Sequence, residues 1–266
     1  MSGPVIGQQV VRLGMVGSTM DEVAALADAG APEGTVVVAE YQKAGRGRSG
    51  RVWQAPSGTS LLLSVLLRPA APLDRLSTLP LAAGVAVAEA IEAVTGEVLS
   101  VQLKWPNDLW LDEQKVGGIL LVARSAAGQL PRAILGVGVN VNVDPEDLPP
   151  GATSLAVATG VTWDRETLLR QTLHRLDAAY QIWRGDGGTA ALAAWRSRAA
   201  LRGEAVVVEV AGRRRRGVML GIDDDGSLLL DGEGGIERIV SGDLVRGPRR
   251  LPDEVPPQQQ AVEQGG

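Results

Sequence analysis

Gly45-Arg46-Gly47-Arg48-Ser49-Gly50-Arg51-Val52-Trp53 sets three arginines and an indole in a glycine-rich loop, just after the β-branched run Thr35-Val36-Val37-Val38-Ala39-Glu40. Glycine permits close backbone approach, and each guanidinium is a permanent planar fork suited to carboxylate or phosphate oxygens, so the loop is built to hold an anion. As a bare pattern, Gly45, Gly47 and Gly50 match the dinucleotide fingerprint, and with Val52 they match the glycine-rich loop of protein kinases. The residues after the loop reject the first reading. Pro56 and Gly58 break any helix, and Leu61-Leu62-Leu63-Ser64-Val65-Leu66-Leu67 reads as a buried strand. Without a helix N-terminus under the glycines, a pyrophosphate loses its dipole and amide donors, and a doubly wound parallel sheet is not expected. The kinase reading fails too, because the chain has no Phe and its one histidine, His174, falls in a helical pattern on what is read as a surface helix.

With 266 residues and 45% hydrophobic content, the chain supports one large domain and a small one. No apolar stretch is read as approaching the roughly 18 to 20 residues of a membrane span, and the N-terminus lacks a signal-peptide layout, so a cytoplasmic address is expected. The absence of cysteine removes thiolate nucleophiles and Cys-type zinc sites, and a single histidine excludes a His-rich metal site. A net charge of −5 argues against a general nucleic-acid binder. Arg213-Arg214-Arg215-Arg216, bounded by Gly212 and Gly217, reads as a solvated hairpin rather than a binding patch.

Val5 to Met15 reads as a strand, followed by a helix start at Ser18 to Glu22 in which Thr19 and Glu22 are spaced as a capping box; Gly30 stops that helix. A helix is expected over Leu73 to Val94, then strands over Val98 to Trp105, Val116 to Ala123 and Ala133 to Val141, joined by turns short enough for antiparallel neighbours. Asp164 is the expected N-cap of a helix reaching Trp183, and a second helix covers Thr189 to Arg198. After Arg202 the pattern changes to short strands, Glu204 to Val210, Gly217 to Ile222, Ser227 to Leu230 and Ile236 to Val240, which suggest a compact β-barrel module. The boundary near Leu201 divides the chain into a domain over 1–200, a module over 201–247 and a Pro/Gln/Gly-rich tail over 248–266 that is expected to be disordered.

Three further motifs accompany the arginine loop. Lys104-Trp105-Pro106-Asn107-Asp108 closes a strand, with Trp105 in the core and Pro106 fixing the turn. Lys115-Val116-Gly117-Gly118-Ile119-Leu120 opens the next strand. Gly136-Val137-Gly138-Val139-Asn140 puts glycines at alternate positions, leaving a bare strand face against which a flat ligand could lie. In this order the four motifs closely resemble those of the biotin protein ligases, strongly over about Ser18 to Asn142, with agreement in layout beyond it.

The resemblance implies an α+β fold, a mixed β-sheet flanked by helices as in lipoate ligases and class II synthetases, followed by an SH3-like β-barrel. It implies formation of biotinyl-5′-AMP from biotin and ATP, with Mg²⁺ carried by the ATP and no protein metal site. Transfer then goes to a lysine of a biotin carboxyl carrier protein or domain, usually of acetyl-CoA carboxylase, with release of pyrophosphate and AMP. No nucleic acid or membrane partner is expected, and a homodimer is compatible with the family.

By position in the motifs, Ser18, Thr19 and Gln42 resemble biotin contacts, and Arg46, Gly47 and Arg48 resemble the loop that closes over biotin and the adenylate. Lys115 would reach the biotin carboxylate and the α-phosphate. Arg51, Trp53, Asn107 and Asn140 would line the nucleotide side, with Arg51 either packing on Trp53 or reaching the triphosphate. Asp108 would either accept the proton of the incoming amine or orient Lys115; with Lys115 and Arg48 it makes up the expected catalytic set. The chain departs from the family at Met20, where an Asn usually follows the Ser-Thr pair, and Met20 is therefore left outside the expected site.

This chemistry suits the composition. A carboxylate attacking an α-phosphate needs positioned cations, and an amine attacking the resulting mixed anhydride needs no covalent enzyme nucleophile. Two alternatives stand beside it. Lipoate or octanoate transfer would use the same fold, but the arginine loop and Lys104 to Asp108 would be unexpected there. A biotin-sensing repressor would carry a winged helix-turn-helix ahead of the ligase domain, and only about 15 residues precede Ser18.

Overall fold

The computed structural model describes residues 3–124 and 132–246. The first strand, β1 (Val10–Val16), leads into helix α1 (Thr19–Asp28) and strand β2 (Val36–Gln42). A small ribbon comes next, β3 (Gly45–Arg46) and β4 (Val52–Trp53), then β5 (Ser60–Leu67), helix α2 (Leu79–Val94), β6 (Gln102–Lys104), β7 (Asp108–Leu111), β8 (Gln114–Arg124) and β9 (Arg132–Asn140). Helices α3 (Leu155–Thr159), α4 (Arg165–Asp186) and α5 (Thr189–Ser197) precede the last strands, β10 (Ala205–Val210), β11 (Arg213–Ile222), β12 (Leu228–Gly232), β13 (Gly235–Ile239) and β14 (Asp243–Arg246).

Seven strands form one sheet in the order β1-β2-β5-β9-β8-β7-β6, in which only β1 and β2 run parallel. Strand β5 is buried along its whole length, which explains its aliphatic run: both sheet faces are covered. Leu61, Leu63, Val65 and Leu67 join the large core with α2 and α4, whereas Leu66 on the opposite face joins Met20, Val23 and Ala27 of α1. By the same alternation Ser64 shares its face with Leu66, the α1 side. The remaining five strands make a separate antiparallel sheet, β13-β12-β11-β10-β14, the small barrel-like unit.

Several sequence expectations change. Strand β1 begins at Val10 rather than Val5, because the backbone amides of Val5 and Ile6 donate to Asp177 of α4 at 2.7 and 2.8 Å and Gly7 turns the chain at φ 88°. The helix cap is Ser18, whose hydroxyl accepts from the Met20 amide at 3.3 Å. Thr19 is instead the first helical residue, with its hydroxyl turned into the protein. The strand expected over Val98 to Trp105 shrinks to β6. Glu97 is left-handed at φ 61°, and Val101 gives its amide to the Glu92 carboxylate at 3.0 Å rather than to a strand. Asp108 opens β7 rather than closing a strand, so Trp105 to Asn107 form the turn of a hairpin. The four arginines lie in β11 itself, and the turn before them is Ala211-Gly212, both at positive φ. Asp164 does cap α4, accepting from the amides of Glu166 and Thr167. The tail expected over 248–266 lies outside the described residues.

The expectation that no segment could span a membrane is also corrected. The 22 residues Leu73–Val94 are long and apolar enough to qualify, with a mean hydropathy of 1.4 over an 18-residue window. The stretch is a 3₁₀ turn, Leu73–Thr78, followed by α2, whose apolar residues are buried beneath the sheet and against α4, which accounts for its composition.

Candidate active site

Ribbon β3–β4 folds the arginine loop back over the C-terminal half of the sheet. Gly45 pairs with Trp53, and a Cβ at Gly45 would lie 2.4 Å from the Trp53 carbonyl oxygen, so only glycine fits there. This return sets the Trp53 indole on the bare face of β9: a Cβ at Gly138 would sit 2.8 Å from the ring. The flat group against those glycines is thus the chain's own indole, which forms one wall of a cavity of about 200 Å³. The indole N–H is buried and has no hydrogen-bond partner among the described residues.

The hairpin of β7 and β8 supplies the charged pair. Lys115 Nζ lies 2.6 Å from Asp108 Oδ1 and 5.7 Å from the centre of the Trp53 ring. Gly118 lies beneath it, and a Cβ there would be in ordinary contact with Lys115 Nζ at 3.5 Å. Lys104 is close in sequence but faces elsewhere, with its ammonium 4.7 Å over the Trp110 ring; burial pulls its pKa below the usual lysine value while Asp108 opposes that shift.

The three arginines take different partners. Arg48 donates to Asn107 Oδ1 at 3.5 Å, to the Gly242 carbonyl at 3.4 Å and to Ser241 Oγ at 3.3 Å. Burial holds its guanidinium below the usual arginine pKa, with Asp243 the strongest opposing charge. Arg51 pairs with Asp243 at 2.5 Å rather than packing on Trp53. Arg46 lies at the rim, paired with Asp21 of α1. Gly47 gives its amide to the Arg51 carbonyl at 2.7 Å, which closes the loop on itself.

At the opposite end the cavity is lined by hydroxyls and an amide. Gln42 Oε1 accepts from the Thr19 amide at 2.8 Å and from the Thr19 hydroxyl at 3.1 Å, and the Thr19 hydroxyl lies 2.8 Å from Ser64 Oγ. Ser18 is wholly buried beside them. Asn107 is held by its own donation to the Ile119 carbonyl at 2.8 Å, which turns its oxygen toward Arg48. Asn140 donates to the Thr153 carbonyl at 3.0 Å, fastening the segment after β9 as well as lining the cavity.

Every residue expected at the site, Ser18, Thr19, Gln42, Arg46, Gly47, Arg48, Arg51, Trp53, Asn107, Asp108, Lys115 and Asn140, lines this one cavity. Sequence reasoning missed three contributors. Met20 lines it too, with its thioether sulfur 3.2 Å from where a Gly136 Cβ would be. Ser64 was legible in principle as the one polar residue inside an aliphatic strand. The segment Ser241 to Asp243 carried no local signal, because only tertiary folding brings it to the arginine loop. The described residues contain no cluster of metal-ligating side chains, and the cavity's one carboxylate, Asp108, is engaged by Lys115.

Such a cavity suits a neutral polar head at one end and a negatively charged group at the other, beside a surface for a flat ring. Comparisons with known proteins agree. The Biotin/lipoate A/B protein ligase family matches residues 15–140, and the Biotin protein ligase C terminal domain matches residues 203–247. The chain is 36% identical to the biotin--[acetyl-CoA-carboxylase] ligase of Mycobacterium tuberculosis over 90% of this chain and 89% of that protein. It is also 36% identical to the bifunctional ligase/repressor BirA of Bacillus spizizenii, over 91% of this chain and 75% of that protein. The biotin protein ligase from Aquifex aeolicus, solved in complex with biotin and ATP, superposes with a TM-score of 0.79 at 31% identity, covering 91% of this chain and 100% of that one. With the four ordered motifs converging on one cavity and relatives of this similarity spanning both sheets, the chain belongs to the biotin protein ligase family.

Proposed function

We propose that this chain is an ATP-dependent ligase that activates biotin as biotinyl-5′-AMP, releasing pyrophosphate, and transfers the biotinyl group to a lysine of a carrier domain, releasing AMP. The observation that carries this reading is the Lys115–Asp108 pair, 2.6 Å apart and beneath the Trp53 indole, in a cavity whose far end is lined by hydroxyls and an amide. The biotin ring head belongs at the Ser18, Thr19 and Gln42 end, and its carboxylate at Lys115.

In the first step a carboxylate oxygen attacks the α-phosphorus and pyrophosphate leaves. Lys115 and Arg48 hold the two anions together and take up charge developing on the phosphorus oxygens. Trp53 offers a ring face and an unpartnered N–H for the nucleotide, and Arg51 exchanges Asp243 for phosphate oxygens. In the second step the carrier's amine attacks the carbonyl carbon and AMP leaves; Asp108 accepts the amine proton or keeps Lys115 aimed. Mg²⁺ would be carried by the triphosphate and would screen its charge.

The catalytic domain is taken as 1–200 and the barrel module as 201–247, and the acceptor as the carrier of a biotin-dependent carboxylase in the cytoplasm. Family relatives named for acetyl-CoA carboxylase support that acceptor. Incubation with biotin, ATP and a purified carrier domain should add one biotinyl group to a single carrier lysine by mass spectrometry. Modification by lipoate in place of biotin would overturn the reading.

A further inference from the structure

Packing alone does not account for Trp105. Any large apolar ring would fill its place in the core, whereas an indole brings an N–H that needs an acceptor once it is buried. Trp105 is 2% exposed, and its Nε1 donates to the Gly226 carbonyl at 3.0 Å, in the turn between β11 and β12 of the barrel module. That turn is itself firmly seated. Ser77 donates to the Asp225 carbonyl at 2.8 Å and Arg196 to the Ile222 carbonyl at 3.1 Å. Gly226 stands at φ 82°, and a Cβ there would lie 2.8 Å from Leu81 Cδ1 of α2. The indole is thus tied to a fixed point on the module.

Two residues further along, Asn107 lines the catalytic cavity, and Pro106 stiffens the path between them. Asn107 is bound to Ile119 of β8, its side chain donating to the Ile119 carbonyl at 2.8 Å and its own carbonyl accepting from the Ile119 amide at 2.9 Å. On the other side Arg48 Nη1 spans the gap from Asn107 Oδ1, at 3.5 Å, to the Gly242 carbonyl of the module, at 3.4 Å. The contacts close a ring: module, Arg48, Asn107, Trp105 and the module again. Both Arg48 contacts are at the long limit of hydrogen bonding, so a slightly wider gap breaks them. Arg48 and Asn107 also line a cleft of about 410 Å³ between the sheet and the module. A wall with open space at its back keeps its place through its ties.

We infer that Trp105 is a positioning residue for the adenylate: its indole N–H, held by Gly226, sets the gap between Asn107 and the barrel module that Arg48 spans. The inference rests on the ligase reading given above and extends it to a residue that does not line the cavity.

The test charges the full-length protein with biotin and ATP, removes free ligand and follows escape of the preformed adenylate by trapping with hydroxylamine. Rates are normalised to the adenylate formed, so unfolded molecules do not count. Trp105→Phe should raise the escape rate about tenfold, the scale of one buried hydrogen bond, and leave the dissociation constant of biotin unchanged. Gly226→Ala keeps the indole but displaces its acceptor; it should act the same way and serves where the phenylalanine variant folds poorly. In an Arg48→Gly background neither substitution should add to the escape rate, because no side chain is left to span the gap. Unchanged escape in both single variants overturns the inference. A further rise on top of Arg48→Gly, or a parallel loss of biotin affinity, also overturns it, since a general loosening of the core would give either. Wild-type protein that forms no adenylate from biotin would instead remove the ligase reading and this one together.

Discussion

Lys115 is held by an ion pair and a ring rather than by packing, with 35% of its side chain exposed, so its removal should cost chemistry and not structure. Lys115→Ala is expected to lower biotin-dependent adenylate formation by on the order of 10²-fold to 10³-fold, the scale for losing one preorganised charge-stabilising group, with an unchanged circular dichroism spectrum. Near-normal turnover would remove Lys115 from the mechanism. At this scale the sequence was informative wherever residue type and order carried the chemistry, as at Lys115, Arg48 and Trp53. It was less informative where a side chain has two uses. Thr19 looked like a helix cap, and only the placement of Gln42 and Ser64 across the sheet shows its hydroxyl turned inward. Met20 stood outside the expected site because its type departs from the family, yet its position on the inner face of α1 seats it in the cavity regardless.

The loop between β3 and β4 acts as one element whose cations are shared between the cavity and the segment that enters β14. Arg48 reaches Ser241 and Gly242, and Arg51 reaches Asp243, so the barrel module holds the loop in its folded-back form. Arg48→Gly removes the most buried of these cations and should let the adenylate escape, seen as biotin appearing on lysines of bystander proteins. Asp243→Asn should act more weakly. The Arg51–Asp243 pair is largely exposed, so thermal stability should stay within about 1 kcal/mol of wild type, while adenylate release measured by trapping with hydroxylamine rises severalfold. An unchanged release rate would mean that the pair does not help hold the loop. Elements with strong periodicity, such as β5, β9 and α4, were legible from the sequence. Short ones such as β6 and β7 were not, because their limits depend on local events, a left-handed Glu97 and an amide captured by Glu92, that leave little trace in composition.

Across the whole molecule the large sheet is fastened to its surroundings by buried polar contacts as well as by its core. Trp105 Nε1 donates to the Gly226 carbonyl of the barrel module at 3.0 Å, and Tyr180 of α4 donates to Glu33 at 2.6 Å. Burial and the neighbouring Glu33 carboxylate raise the Tyr180 pKa above its ordinary 10.0. From pH 10.0 upward the unfolded chain gives up this proton while the folded chain keeps it, so the unfolded state binds fewer protons and stability falls as pH rises. Below that pH the contribution is intact. Tyr180→Phe should flatten the alkaline limb by about 1.4 kcal/mol in all between about pH 9 and 11, read from denaturant titrations; an identical slope in both proteins would contradict the shift. Two sheets in sequence were legible from the change of pattern after Arg202, whereas the way the module's turns reach back to Trp105 and to the arginine loop was not, since those contacts join residues far apart in the chain. The account as a whole turns on which acid the cavity activates. Exchange of labelled pyrophosphate into ATP, measured with no acid, with biotin and with lipoate, tests this most directly: exchange should appear with biotin alone, and exchange supported by lipoate but not by biotin would contradict it.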